Sequence, residues 1–182
     1  MKGSIRMALA AAFLATGMAS AQDADVNGEV APPPTEAVDP NVGAVTRLPL
    51  PRFVTLKTRE GNARRGPGLT HRIDWVFTRD GMPLKITAEY GHWRRVEDAE
   101  GAGGWVHYAL LSGTRSALVI ATLAELHSDP SAESAVVLKA HKDVIGNLQE
   151  CLPAFCLMRI DGNEGWIAKT YIWGVAPDEI LN

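Results

Sequence analysis

Gly104-Trp-Val-His-Tyr-Ala-Leu-Leu-Ser-Gly113 recurs in outline as Gly165-Trp-Ile-Ala-Lys-Thr-Tyr-Ile-Trp-Gly174. Each stretch starts with Gly-Trp and a β-branched residue and reaches a second glycine nine positions on. The chain is therefore a tandem repeat, and two units of about 60 residues must each find a small core of their own.

Working back from the first Gly-Trp, the local period is two. Leu84, Ile86, Ala88 and Tyr90 alternate with Lys85, Thr87 and Glu89, the pattern of a strand with one apolar face. Asp80-Gly81 supplies a turn before it, and Gly91-His92 punctuates after it. Trp93 to Glu97 is the expected partner strand, Asp98 to Gly104 a Gly-rich turn, and Trp105 to Tyr108 a third strand. Short strands at close intervals imply an all-β chain of two small barrels, with helix confined to single turns near Ala109–Leu111 and Thr170–Ile172.

The second copy overlays on the first in stages. Asn62 to Gly68 meets Glu125 to Ser131 at an offset of 63, and Asp80 meets Asp143. Trp93 to Glu97 meets Leu157 to Asp161 at an offset of 64, and Trp105 meets Trp166 at 61. The first copy keeps the glycines and aromatics; the second replaces several with aliphatics and gains two cysteines.

Asn62-Ala-Arg-Arg-Gly-Pro-Gly68, Trp93-Arg-Arg-Val96 and the two Gly-Trp motifs resemble the bacterial SH3-like (SH3b) domains, in particular small exported proteins carrying two of them. The resemblance covers nearly all of residues 51 to 175. It implies two SH3-like β-barrels, 51–115 and 116–176, and a noncatalytic binding or targeting role in the cell wall or envelope. The second copy departs at the loop, where Asp129-Pro-Ser131 replaces Gly-Pro-Gly.

The residues themselves suggest roles. Gly66 and Gly68 flank Pro67, as in a loop where proline fixes one dihedral and glycine permits φ above zero on either side. Gly104 and Gly165 let a turn close against a neighbouring strand. Arg64 either bonds carbonyls of its own loop or contacts a ligand. Val106 and Val96 point inward, so Trp105 and Trp93 face outward or lie at the rim. With Tyr90 and Tyr108 they either form an aromatic groove for an extended peptide or sugar, or cover a barrel end or the seam between repeats. Packing is the first use of so large a side chain in a unit short of core.

Cys151 and Cys156 are the only cysteines. Four intervening residues place them as a facing pair across a hairpin, within disulfide reach, and the closed loop contributes about 2 kcal/mol in the chain-entropy account. The spacing lacks the C-x-x-C of redox catalysts and the further ligands of a zinc site.

The N-terminus sets the compartment. Lys2 and Arg6 precede an apolar run from Met7 to Gly17, and Ala19-Ser-Ala21 fits signal cleavage between Ala21 and Gln22, so residues 1–21 read as a secretory signal and the chain as periplasmic. The apolar run is too short for a membrane span, which needs about 20 residues. Residues 22–50, acidic and carrying Pro32, Pro33, Pro34 and Pro40, read as a disordered leader, and 177–182 as a tail.

Cleavage removes Lys2 and Arg6 and takes the formal charge from −3 to −5, which argues against a nucleic-acid partner. Arg59, Arg64, Arg65, Arg72 and Arg79 crowd the start of the first repeat, as a solvated loop or a site for a small anion. The five histidines lack metalloprotease spacing, and nothing indicates a catalytic residue, cofactor or metal. Two functions follow: a module binding peptidoglycan peptide or glycan through the first repeat, or an envelope-protein assembly factor without a wall ligand. A role as an accessory to a wall hydrolase, or as an enzyme, is a weaker third.

Overall fold

A computed structural model describes residues 39–182; the expected cleavage point at Ala21–Gln22 and most of the leader lie outside them. In the first repeat the alternating segments become β1 (Arg52–Leu56), β2 (Gly61–Arg64), β3 (Ile73–Phe77), β4 (Pro83–Tyr90), β5 (Trp93–Glu97), β6 (Gly103–His107) and β7 (Leu111–Ser112). The second contributes β8 (Ser116–Val119), β9 (Leu123–His127), β10 (Val136–His141), β11 (Ile145–Cys151), β12 (Phe155–Ile160), β13 (Asn163–Ala168) and β14 (Ile172–Trp173). A single 3-10 turn, Tyr108–Leu110 or Lys169–Tyr171, precedes the last strand of each.

Each repeat is one seven-stranded antiparallel sheet. The orders are β3-β2-β6-β5-β4-β1-β7 and β10-β9-β13-β12-β11-β8-β14, the same topology twice. This is the expected pair of SH3-like β domains.

Strand pairing corrects the sequence overlay. Val96 lies opposite Gly104 as Met158 lies opposite Gly165, so Trp93, Arg94 and Arg95 correspond to Phe155, Cys156 and Leu157. The offset is 62, two less than the sequence match. A slip of two keeps every side chain on its own face, so in-out patterning cannot detect it. Likewise Asp143 corresponds to Gly81, because each donates its N–H to the last residue of the preceding first strand, Leu56 or Val119. Asp143 has taken over the left-handed backbone of that glycine, with φ 69° against 76°.

The two cores are separate. Leu56, Ala63, Phe77, Leu84, Ile86, Val96 and Val106 fill the first; Val119, Leu126, Ala140, Leu148, Met158 and Ile167 are central to the second. Volume has moved within one hairpin: the first repeat has Ala63 and Phe77 where the second has Leu126 and Ala140.

Bulges change the phase of the longest strands. β4 shifts register between Ile86 and Ala88, and β11 between Leu148 and Glu150. An extra residue reverses which side chains face inward beyond it. The alternation that grouped Tyr90 with Leu84 and Ile86 therefore fails after Ile86: Glu89 is buried and Tyr90 is 64% exposed. In β11 the same device turns Cys151 inward.

The glycines before the tryptophans act as expected, since a Cβ on Gly104 would sit 2.6 Å from the Arg64 carbonyl oxygen and one on Gly165 2.7 Å from Leu126. Gly66 and Gly68 do not adopt positive φ, contrary to expectation. Gly66 instead leaves room for the His71 ring, which an added Cβ would approach to 2.7 Å.

Both ends expected to lie outside the domains are docked. Residues 43–48 form a turn whose Val45 and Thr46 N–H groups donate to the Glu89 carboxylate at 3.0 and 2.8 Å. At the other end Leu181 exchanges two backbone hydrogen bonds with Cys151, and Glu179 pairs with Arg115. The repeats meet where the Thr55 hydroxyl donates to the Thr114 carbonyl at 2.6 Å and lies 2.7 Å from the Ser116 hydroxyl. Phe53 packs edge-on to Trp173, with ring centroids 5.1 Å apart. Trp173 is thus one tryptophan at the seam, and Trp75 lines a cleft there with Leu118 and Asp143.

Candidate functional site

The outward side chains of β5 and β6 form one surface. Trp93 pairs with His107 and Arg95 with Trp105, so these four alternate on the face opposite Val96 and Val106. Trp93 and His107 form one cross-strand row of that face, and Arg95 and Trp105 the next.

In the first row lies an aromatic cluster. Trp93 meets His107 edge-on at 5.5 Å, Tyr108 lies 5.0 Å from His107, and His92 lies 5.5 Å from Tyr108 and 5.9 Å from His107. Trp93 and His107 are half-buried; Tyr108 is 49% exposed. Tyr90 stands opposite Trp93 across β4 and β5. The His107 Nδ1 accepts the Ala109 N–H at 3.3 Å, which fixes the ring over the 3-10 turn.

A buried frame holds the cluster from below. Arg94 donates to the carbonyls of Gly91 and Trp93, both at 2.9 Å, so the turn carrying His92 is tied down. Its guanidinium lies 6.0 Å from the centre of the Tyr108 ring, within reach of a cation–π contact, and 3.5 Å from Glu89. Burial raises the Glu89 pKa, but the Thr46 hydroxyl at 2.7 Å, the Thr46 and Val45 N–H groups and Arg52 at 2.6 Å favour the anion and bring it from 4.5 to about 2.

In the other row, Trp105 lies between Arg95 of β5 and Arg64 of β2 and lines a second concavity. Among the described residues no aromatic ring stacks on it. Trp93 and Tyr108 are therefore brought together through His107, while Tyr90 neighbours Trp93 only in strand register and Trp105 stands apart. Arg64 bonds its own loop, donating from Nη1 to the carbonyls of Leu69 at 3.0 Å and His71 at 2.7 Å.

His92 and His107 belong to the cluster, although the spacing of the histidines along the sequence points to no site. The signal was present, since His107 lies two residues after Trp105 and shares its face in a strand.

In the second repeat, Ala154, Phe155, Ala168 and Lys169 take the places of His92, Trp93, His107 and Tyr108. Smaller side chains leave a hollow there. An apolar pocket of about 500 Å³, walled by Pro153, Phe155, Ile172, Val175 and Pro177, meets another of about 320 Å³ at Phe155 and Ala168. Cys151 and Cys156 form the expected disulfide. Among the described residues no three His, Cys, Asp or Glu side chains converge as metal ligands, and no helix is long and apolar enough to cross a membrane.

A family model described as bacterial SH3 domain matches residues 57–113 and 121–174. Among solved structures, NlpC2 from Trichomonas vaginalis is 16% identical over 68% of this chain and 48% of its own, with a TM-score of 0.32. NlpC1 from the same organism is 16% identical over 75% and 50%, with a TM-score of 0.32. The chain thus spans about half the length of these structures. No curated protein matches it.

Proposed function

The chain belongs to the bacterial SH3 domain family, and on that premise we propose that it is a noncatalytic binding module of the cell envelope, taking a wall peptide or glycan on the outer face of its first repeat. The contiguous cluster of His92, Trp93, His107 and Tyr108 carries this reading. Grouped rings left open to solvent favour stacking on an apolar or sugar face, with the imidazole and phenol edges free for hydrogen bonds. The Arg94–Glu89 frame holds the rings in place before a ligand arrives, which reduces the ordering cost of binding. Both thiols are committed to the disulfide, and Glu89 to Thr46, Arg52 and Arg94; none of the three serves as nucleophile or base. The signal at residues 1–21 directs the module to the periplasm.

Sedimentation with purified sacculi tests the proposal. The full chain is expected to pellet, and Trp93→Ala to lose most pelleting while the thermal midpoint stays nearly unchanged. Failure of the wild type to pellet sinks the wall reading. The hollow of the second repeat favours the alternative, a scaffold that docks an envelope protein through an apolar groove. A protein co-purifying with the wild type but lost on Phe155→Asp, together with no pelleting, would establish that reading instead.

A further inference from the structure

The concavity beside Arg95 differs in chemistry from the aromatic cluster. It holds about 370 Å³ and is lined by Arg64, Arg65, Asp74, Arg95, the Gly103–Gly104 backbone and Trp105. Asp74 accepts from the Nε atoms of Arg65 at 2.9 Å and Arg72 at 2.7 Å. Among the described residues the Nη groups of both arginines make no hydrogen bond, and the exposed Arg95 guanidinium makes none at all. Two guanidiniums thus hold one carboxylate with donor groups to spare, and Arg64 and Arg95 line the same concavity. Gly103 lets β6 close against β5 at the edge of the concavity, since a Cβ there would lie 2.1 Å from the Val96 carbonyl oxygen. The second repeat lacks this arrangement: His127 and Leu157 stand where Arg64 and Arg95 do, judged by their pairing with Trp166.

We propose that this arginine-lined concavity is a binding site for a carboxylate carried on a peptide, with Trp105 packing against the peptide's apolar part. Planar guanidinium forks match a carboxylate in two-point hydrogen bonding. Arg64, fixed by its own loop carbonyls, presents its remaining donors without losing side-chain freedom. The site stands on its geometry; that the carboxylate belongs to a peptide rests on the wall-binding reading.

Calorimetric titration of the full chain at low salt, with an N-acetylated tripeptide as the free acid and as the C-terminal amide, tests it. The acid is expected to bind, the amide about tenfold more weakly, and Arg95→Gln to weaken the acid about tenfold. The thermal midpoint of Arg95→Gln should not move, because that side chain holds nothing in place, and Lys139→Gln in the second repeat should bind as wild type. Equal binding of acid and amide, unchanged affinity in Arg95→Gln, or no binding of the acid overturns the site. Tighter binding of inorganic phosphate than of the peptide overturns the carboxylate assignment. Sacculus pelleting that survives Arg95→Gln but not Trp93→Ala removes this site from wall binding and leaves the wall reading standing. Acid binding without sacculus pelleting supports the site and removes the wall reading.

Discussion

Glu89 faces Arg94 across β4 and β5, and Cys151 faces Cys156 across β11 and β12. The two pairs occupy one position in the repeat, inward beyond a bulge, and each fastens a long hairpin near its turn. The first repeat uses a buried ion pair and the second a covalent bond. An ion pair leaves lone pairs to satisfy, and Glu89 satisfies them with Arg52 and the turn around Thr46. A disulfide has no such requirement, so the tail reaches Cys151 through its backbone alone. One fold thus tolerates two fasteners. The choice decides whether protons or reductants loosen it.

Removing the carboxylate should give the largest effect. Glu89→Ala leaves Arg94 buried without its counter-ion and frees the Val45 and Thr46 N–H groups, so urea unfolding is expected to show a loss of about 3–5 kcal/mol in the first repeat. A loss under about 1 kcal/mol would mean that the frame is not buried in solution.

Acid should act through the same group. A carboxylate held at about 2 in the fold and near 4.5 when unfolded contributes stability fully above the unfolded value, and loses it as pH falls through the folded one. Between about pH 5 and 2 the wild type is expected to lose about 3 kcal/mol, and Glu89→Gln to show a much flatter profile; parallel profiles would refute the assignment. Reduction, or Cys151→Ser with Cys156→Ser, should cost the second repeat about 2 kcal/mol and leave the first unchanged.

The smallest effect lies at the turn where Gly81 and Asp143 correspond. Asp143→Gly is expected to stabilise the second repeat by about 1 kcal/mol, because it relieves a left-handed backbone. Gly81→Asp should destabilise the first by a similar amount, and two shifts of the same sign in thermal melts would break the correspondence.

What could be read beforehand follows from range. Gly104, Gly165 and the alternation from Leu84 to Ile86 are local, and they sufficed for the barrels; the short C-x4-C loop sufficed for the disulfide. The bulges were not legible, because one unpaired residue leaves no mark in a polar-apolar pattern. Glu89 therefore looked like a solvated strand residue, and nothing announced that residues 43–48 would fold onto it. The aromatic cluster was half legible: Trp93 and Tyr108 stood out by type, while the separation of Trp105 required the cross-strand register.

The exchange of volume between Ala63 with Phe77 and Leu126 with Ala140 bears on how the chain assembles. Like repeats in one polypeptide are prone to trade strands before their cores close. A β9 laid beside β3 would bring Leu126 together with Phe77 and overfill the interior; a β2 beside β10 would join Ala63 to Ala140 and leave a void. Either hybrid is penalised before it can mature. Divergence of the two hairpins thus acts as a proofreading device, letting each strand recognise its own repeat as the chain folds.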